Sequence, residues 1–208
     1  MRNTLQYQFE GLISAWKGGM NWEFKRSAIA FGVLWQLSWG ACMALPELRE
    51  YLVGFLLSSL DSLNILDQNG NLSALALFSS NFQATAFIML YGLLPFLQLP
   101  AMALGLNSVL LGVMAAWMLT SGYSFFAYLA ALVPHAVFEL PALFLAFAMG
   151  LYVCGQLSCR IRGDKSTHSL WNCLVLISRL LLLVEIPLLA AAALMEAHVT
   201  PLVASLFF

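Results

Sequence analysis

The chain is 208 residues long, 62% hydrophobic and only 9% charged, with a formal net charge of −1 at pH 7. A soluble domain is roughly 45–50% apolar and about 25% charged, and a mean hydropathy of +0.86 means more apolar surface than a water-facing fold can hide. This excludes a soluble globular enzyme, a nucleic-acid-binding module and a disordered chain, and leaves a small polytopic membrane protein whose main solvent is the lipid bilayer.

Residues 1–26 are polar and amphipathic and lack the compact apolar core of a cleavable leader. Phe9, Leu12, Ile13 and Trp16 suit one face of a short helix on the cytoplasmic membrane surface, with Lys17, Lys25, Arg26 and Trp22 at headgroup level. A spanning helix needs about 20 mainly apolar residues. Five stretches qualify, at 27–45, 82–99, 101–120, 134–157 and 170–194. Leu99-Pro100 then has to be the turn between the second and third. Residues 27–208 form a single transmembrane domain on this reading, with 1–26 as its cytoplasmic extension.

Two connections carry structure of their own. In the loop 46–80, Leu52, Phe55, Leu56, Leu60 and Leu63 recur at helical spacing, which predicts an amphipathic helix on the outer leaflet, followed by a turn at Asp67-Gln68-Asn69-Gly70-Asn71. The stretch 122–157 is too long for one straight span at about 1.5 Å per residue, and Pro134 and Pro141 interrupt it. It predicts a half-helix over 123–132, re-entrant or interfacial, and a full helix starting at Pro134, where the missing N–H of proline has no partner to lose. The expected fold is therefore all-α: a polytopic membrane helical bundle of about five transmembrane helices, a half-helix or re-entrant segment, and interfacial helices.

Lys and Arg set the orientation. With the N-terminus inside, Arg2, Lys17, Lys25, Arg26, Arg160, Arg162 and Lys165 fall on the cytoplasmic side and only Arg49 outside. Cys42, Cys154 and Cys173 lie in apolar runs and Cys159 just beyond one, with no CxxC spacing; they read as small packing residues rather than metal ligands. Gly105 with Gly112, Gly150 with Gly155, and the alanines at 190–193 permit close helix approach, within one chain or between copies in a homo-oligomer.

Ionisable groups inside spans are costly and mark buried or functional positions. His135 and Glu139 stand at i, i+4 and share a helix face. Alternating the five spans brings them to the same leaflet as Asn81, Glu196 and His198. Two readings compete for this cluster. In one, His135, Glu139, Glu196 and His198 are metal ligands, with zinc the default cation for imidazole and carboxylate donors, and hydrolytic chemistry open to it if a coordination position stays free. In the other, the cluster is a hydrogen-bonded lock that fixes helix register. Arg179 and Glu185 both lie in the last span, on different faces. Arg179 is expected to snorkel towards the cytoplasmic headgroups, and Glu185 needs a partner from another helix or a proton.

Asn81, Gly92, Gly105 with Asn107, the run Pro134-His135-Ala136-Val137-Phe138-Glu139-Leu140-Pro141-Ala142, and Glu196-Ala197-His198-Val199-Thr200-Pro201 together resemble the stage II sporulation protein M family. Ala136 stands where that family usually has glycine. The resemblance covers about residues 27–203. It implies a multi-pass protein of the bacterial inner membrane, N-terminus cytoplasmic, whose sporulating members act as an anchor or scaffold for envelope and cell-wall partners. It also implies a functional centre at Asn81, Pro134, His135, Glu139, Glu196, Thr200 and Pro201.

Three functions follow as expectations. The first is a non-enzymatic membrane scaffold that assembles with other membrane or cell-envelope proteins, favoured by the lack of a complete catalytic motif. The second is a metal-binding membrane protein or intramembrane hydrolase. The third is a small oligomeric transporter or channel using the broken fourth span and Glu185.

Overall fold

A computed structural model describes residues 4–61 and 72–207, and the elements assigned over them are helices. Among the described residues, five stretches are long and apolar enough to cross a membrane: Gln6–Ala44, Ala74–Tyr91, Leu99–Thr120, Phe125–Ile161 and Leu170–Ala204. The all-α polytopic bundle expected from composition is what the chain forms. The turn at 67–71 and Leu63 lie outside the described residues.

The N-terminal helix α1 (Thr4–Ala15) joins α2 (Asn21–Ala44) through a π-helical turn, Trp16–Met20. Gly19 breaks the helix there at φ +125°, a backbone state that costs a side chain-bearing residue but not glycine. Leu12 and Ala15 are buried, so α1 is packed into the protein as well as amphipathic. Helix α3 (Pro46–Asp61) is the expected amphipathic element. It turns Leu52, Val53 and Leu56 inwards and leaves Phe55 exposed.

The second span is displaced from its expected position. Helix α4 runs Ala74–Tyr91, not 82–99, and is opened by Ser73, whose hydroxyl accepts from the Ala76 N–H at 3.3 Å. Ser79, Ser80 and Asn81 depress local hydropathy but sit half-buried inside the helix. The chain then leaves helical geometry over residues 92–98, where Phe96 (φ 68°) and Gln98 (φ 46°) are left-handed. Helix α5 (Leu99–Thr120) carries Pro100 in its first turn, so Leu99-Pro100 opens a helix rather than forming the turn between two.

The half-helix is likewise replaced. Helix α6 is one continuous element, Phe125–Ile161, with Pro134 and Pro141 inside it. Its first turns have packing of their own from Ala127 onwards. The Ser124 hydroxyl caps them by accepting from the Ala127 N–H at 3.1 Å. Ala127 and Tyr128 pack with Ala115, Met118, Trp35 and Trp39. This packing outweighs the backbone hydrogen bond each proline removes, a loss that neighbouring helices make tolerable in a membrane.

The last span also extends further than expected. It runs as α7 (Leu170–Leu180), a π-turn (Leu181–Glu185), α8 (Ile186–Leu194), a second π-turn (Met195–Val199) and α9 (Thr200–Ala204). Arg179 does not simply reach for the headgroups. Its Nε donates to Gln8 Oε1 at 2.6 Å and its guanidinium lies 5.3 Å over the Tyr7 ring, which ties α7 to α1.

The main core centres on Phe147, Met149 and Val153 of α6, closed by Met89 of α4 and by Cys173 and Ile177 of α7. Small residues let backbones meet around it. A Cβ on Gly150 would fall 2.8 Å from Ile88 O and 2.8 Å from Pro100 Cγ, and one on Gly92 would strike the Gly150 carbonyl. At Gly112 it would fall 2.6 Å from Trp35 O on α2. Beside Gly112, the Ser108 hydroxyl donates to Phe31 O at 2.5 Å and fastens α5 to α2. Gly105 and Gly155 are not close-approach positions: the nearest atom to a Cβ on Gly105 is 3.9 Å away, and nothing lies within 4 Å at Gly155.

Candidate functional site

Helix α6 brings His135 and Glu139 to one face because four residues make just over one turn. His135 Nε2 stands 3.8 Å from Glu139 Oε2. His135 lies about 15 Å along the helix axis from Phe125, well inside the apolar element. The second π-turn of the last helix carries Glu196 to the same place. One donor atom from each of His135, Glu139 and Glu196 lies within 4.8 Å of the others, with all three side chains partly buried.

The ring of His135 is fixed from its other edge. Its Nδ1 is 3.2 Å from the hydroxyl of Thr200, a buried residue at the start of α9. With Nδ1 engaged, Nε2 is the nitrogen left facing the carboxylates. A histidine ligand held through its second nitrogen is the usual arrangement around a bound metal.

The donor set fits a divalent cation. Zinc bonds to nitrogen or oxygen are about 2.0–2.2 Å, so two donors on one ion stand roughly 3.3–3.6 Å apart. The His135–Glu139 separation is close to that already. A neutral imidazole and two carboxylates carry a formal charge of −2, which one divalent cation cancels. Beside them lies a cavity of about 220 Å³ lined by Leu56, Asn107, Leu132, His135, Glu139 and Leu143.

The other residues singled out in the sequence are placed differently. His198 is exposed and is not among the grouped donors; two residues beyond Glu196, it projects from the opposite side of the helix. Asn81 sits half-buried on α4, where its backbone carbonyl accepts from the Thr85 hydroxyl at 3.0 Å. Pro134 precedes His135 inside α6, and Pro201 is exposed behind Thr200. Glu185 is fully buried, and neither carboxylate oxygen has a hydrogen-bond partner among the described residues.

Asn107 enters the site without having been a candidate. Its Nδ2 donates to Ala103 O at 2.9 Å while the side chain lines the cavity against His135. As the one amide in an otherwise apolar span, it carried a signal that could have marked it.

No curated protein and no solved structure matches the chain. A family model does, over residues 27–201, which include every residue of the His135 centre. By that match the chain belongs to the stage II sporulation protein M family.

Proposed function

We propose that this protein is a non-enzymatic integral-membrane anchor that assembles with other cell-envelope proteins, and that its His135–Glu139–Glu196 centre takes a divalent cation, zinc by donor chemistry, to fasten the last helix to α6. Family membership supports the anchor role. The observation that carries the rest is the convergence of three donor atoms within 4.8 Å from two helices far apart in sequence. A cation there would replace the hydrophobic drive that helices lack in lipid.

The test is elemental mass spectrometry on detergent-purified protein, beside His135→Ala and Glu139→Gln. Near-stoichiometric zinc in the wild type and its loss in both variants is the expected result. A folded wild type that takes up no metal after zinc addition and desalting would leave only a hydrogen-bonded lock. Affinity capture from crosslinked membranes tests the anchor role, which fails if no envelope protein is enriched over a control membrane protein.

Orientation belongs to the same reading: a bacterial inner-membrane protein with its N-terminus in the cytoplasm, supported by the basic residues around α1 and at 160–165. Cys159 is the exposed one of the four free cysteines. A membrane-impermeant maleimide should label it in inverted vesicles and not in intact spheroplasts.

A second reading, metal-assisted hydrolysis within the membrane, is favoured by the cavity against His135 and Glu139. Zinc-loaded protein that cleaves a lipid or membrane-peptide substrate, with activity lost in Glu139→Gln, would replace the anchor reading with this one.

A further inference from the structure

At the end of the bundle opposite the His135 centre, a cleft of about 420 Å³ opens between α2, the start of α5 and the end of α6. Its polar and charged lining comes from Glu23, Arg26, Gln98, Ser158 and Arg162. Phe96, Ala101 and Leu151 add apolar surface to the same lining. The cleft therefore sets charged groups beside hydrocarbon surface, the two-part character of an amphiphile.

The cations of this lining have donors to spare. Arg26 uses one nitrogen, Nη1, on both Glu23 oxygens at 3.2 Å. Arg162 lies 5.3 Å over the Phe96 ring and its guanidinium donates no hydrogen bond among the described residues. Stacking on a ring occupies the face of a guanidinium and leaves its edge N–H groups free.

The loop that carries Phe96 and Gln98 is held in an unfavourable shape. Phe96 and Gln98 are both left-handed without being glycine. Such residues persist only where their surroundings fix them. Here the Phe96 N–H donates to the Ser158 hydroxyl at 3.0 Å, and the Cys154 thiol reaches the Leu94 carbonyl at 3.6 Å. Both anchors come from α6, and they set Phe96 under Arg162 and Gln98 in the lining.

We propose that this cleft seats the headgroup of an anionic phospholipid, with its phosphodiester oxygens accepting from Arg26 and Arg162 and its acyl chains lying on Leu151 and Ala101. Basic pockets between transmembrane helices take lipid headgroups by this chemistry. Lys17, Lys25, Arg160 and Lys165 cluster near the same positions in sequence and add to the attraction.

The test uses the full chain in detergent, titrated with short-chain phosphatidylglycerol and read by native mass spectrometry. Phosphatidylcholine of the same chain length and inorganic phosphate are run in parallel. The expected result is a saturable phosphatidylglycerol adduct that neither comparator forms at equal concentration. Arg26→Gln and Arg162→Gln should each weaken it by about fivefold. Gly155→Leu should abolish it, because Gly155 lines the cleft and a Cβ there meets nothing within 4 Å, so the side chain fills the site and not the core. Equal phosphatidylcholine adducts, or phosphatidylglycerol binding untouched by Gly155→Leu, would overturn the proposal. Adducts of inorganic phosphate at equal concentration would make the ligand a free anion and overturn the lipid assignment.

Discussion

The Thr200 hydroxyl stands 3.2 Å from His135 Nδ1, across 65 residues of sequence. The ring that α6 carries is thus oriented by the last helix. Thr200→Val keeps the volume and removes the hydrogen bond. It should cost about 1 kcal/mol of stability and weaken zinc binding by about 10–100-fold. Competition against a chromogenic chelator, beside thermal melts in detergent, measures both. Unchanged zinc affinity would show that Thr200 does not orient a ligand.

Gly150 is where three parts of the chain meet. A methyl added there lies 2.8 Å from Ile88 O and 2.8 Å from Pro100 Cγ, neither of which can move without its helix. Gly150→Ala should destabilise by about 1–3 kcal/mol through overpacking. Gly155→Ala, one and a half turns on and facing open space, should instead stabilise by up to about 1 kcal/mol from helix propensity. Opposite signs in one thermal-shift experiment are the expected outcome.

Glu185 is completely buried, and neither of its oxygens has a hydrogen-bond partner among the described residues. A buried polar group without a hydrogen bond costs about 1–3 kcal/mol. Glu185→Leu should therefore raise thermal stability by that order if the carboxyl serves only the fold. A loss of stability would reveal a proton, cation or donor that the carboxyl holds.

The loop after α6 offers a pH test outside the membrane. Asp164 Oδ1 accepts from the Ser166 N–H at 2.9 Å and from its hydroxyl at 2.6 Å. These bonds favour the ionised form and hold the Asp164 carboxyl below its ordinary range. Because the folded value is the lower one, the stabilisation is complete above the ordinary carboxylate range and is lost as pH falls through the lowered value. Hydrogen exchange at the Ser166 amide, corrected for its intrinsic rate, should show protection that falls in that acidic window and is absent in Asp164→Ala.

Much of this was legible in the sequence, for physical reasons. Length and hydropathy fix how many helices cross a bilayer, and the i, i+4 spacing of His135 and Glu139 fixes a shared face. Helix ends were less legible. Ser79, Ser80 and Asn81 look like a loop in a hydropathy profile, yet an α-helix carries them half-buried once Ser73 caps it. Pro134 looks like a break, yet Ala127 and Tyr128 have their own packing partners and the helix runs through it. His198 looked as good a ligand as Glu196, and only the direction of the last helix separates them. That direction depends on the π-turns, which leave no pattern in composition.

The last helix is for this reason a matter of counting. Each π-turn accommodates residues that a plain α-helix would place differently, and so sets the phase of everything that follows. Straightening the turn at Leu181–Glu185 into plain α-helix with no residue removed would rotate the remainder by about 100° and push it on by about 1.5 Å. Glu196 and Thr200 would then face away from His135. The segment would still be apolar, helical and long enough to cross the bilayer, and no hydropathy profile would register that its two halves had fallen out of step.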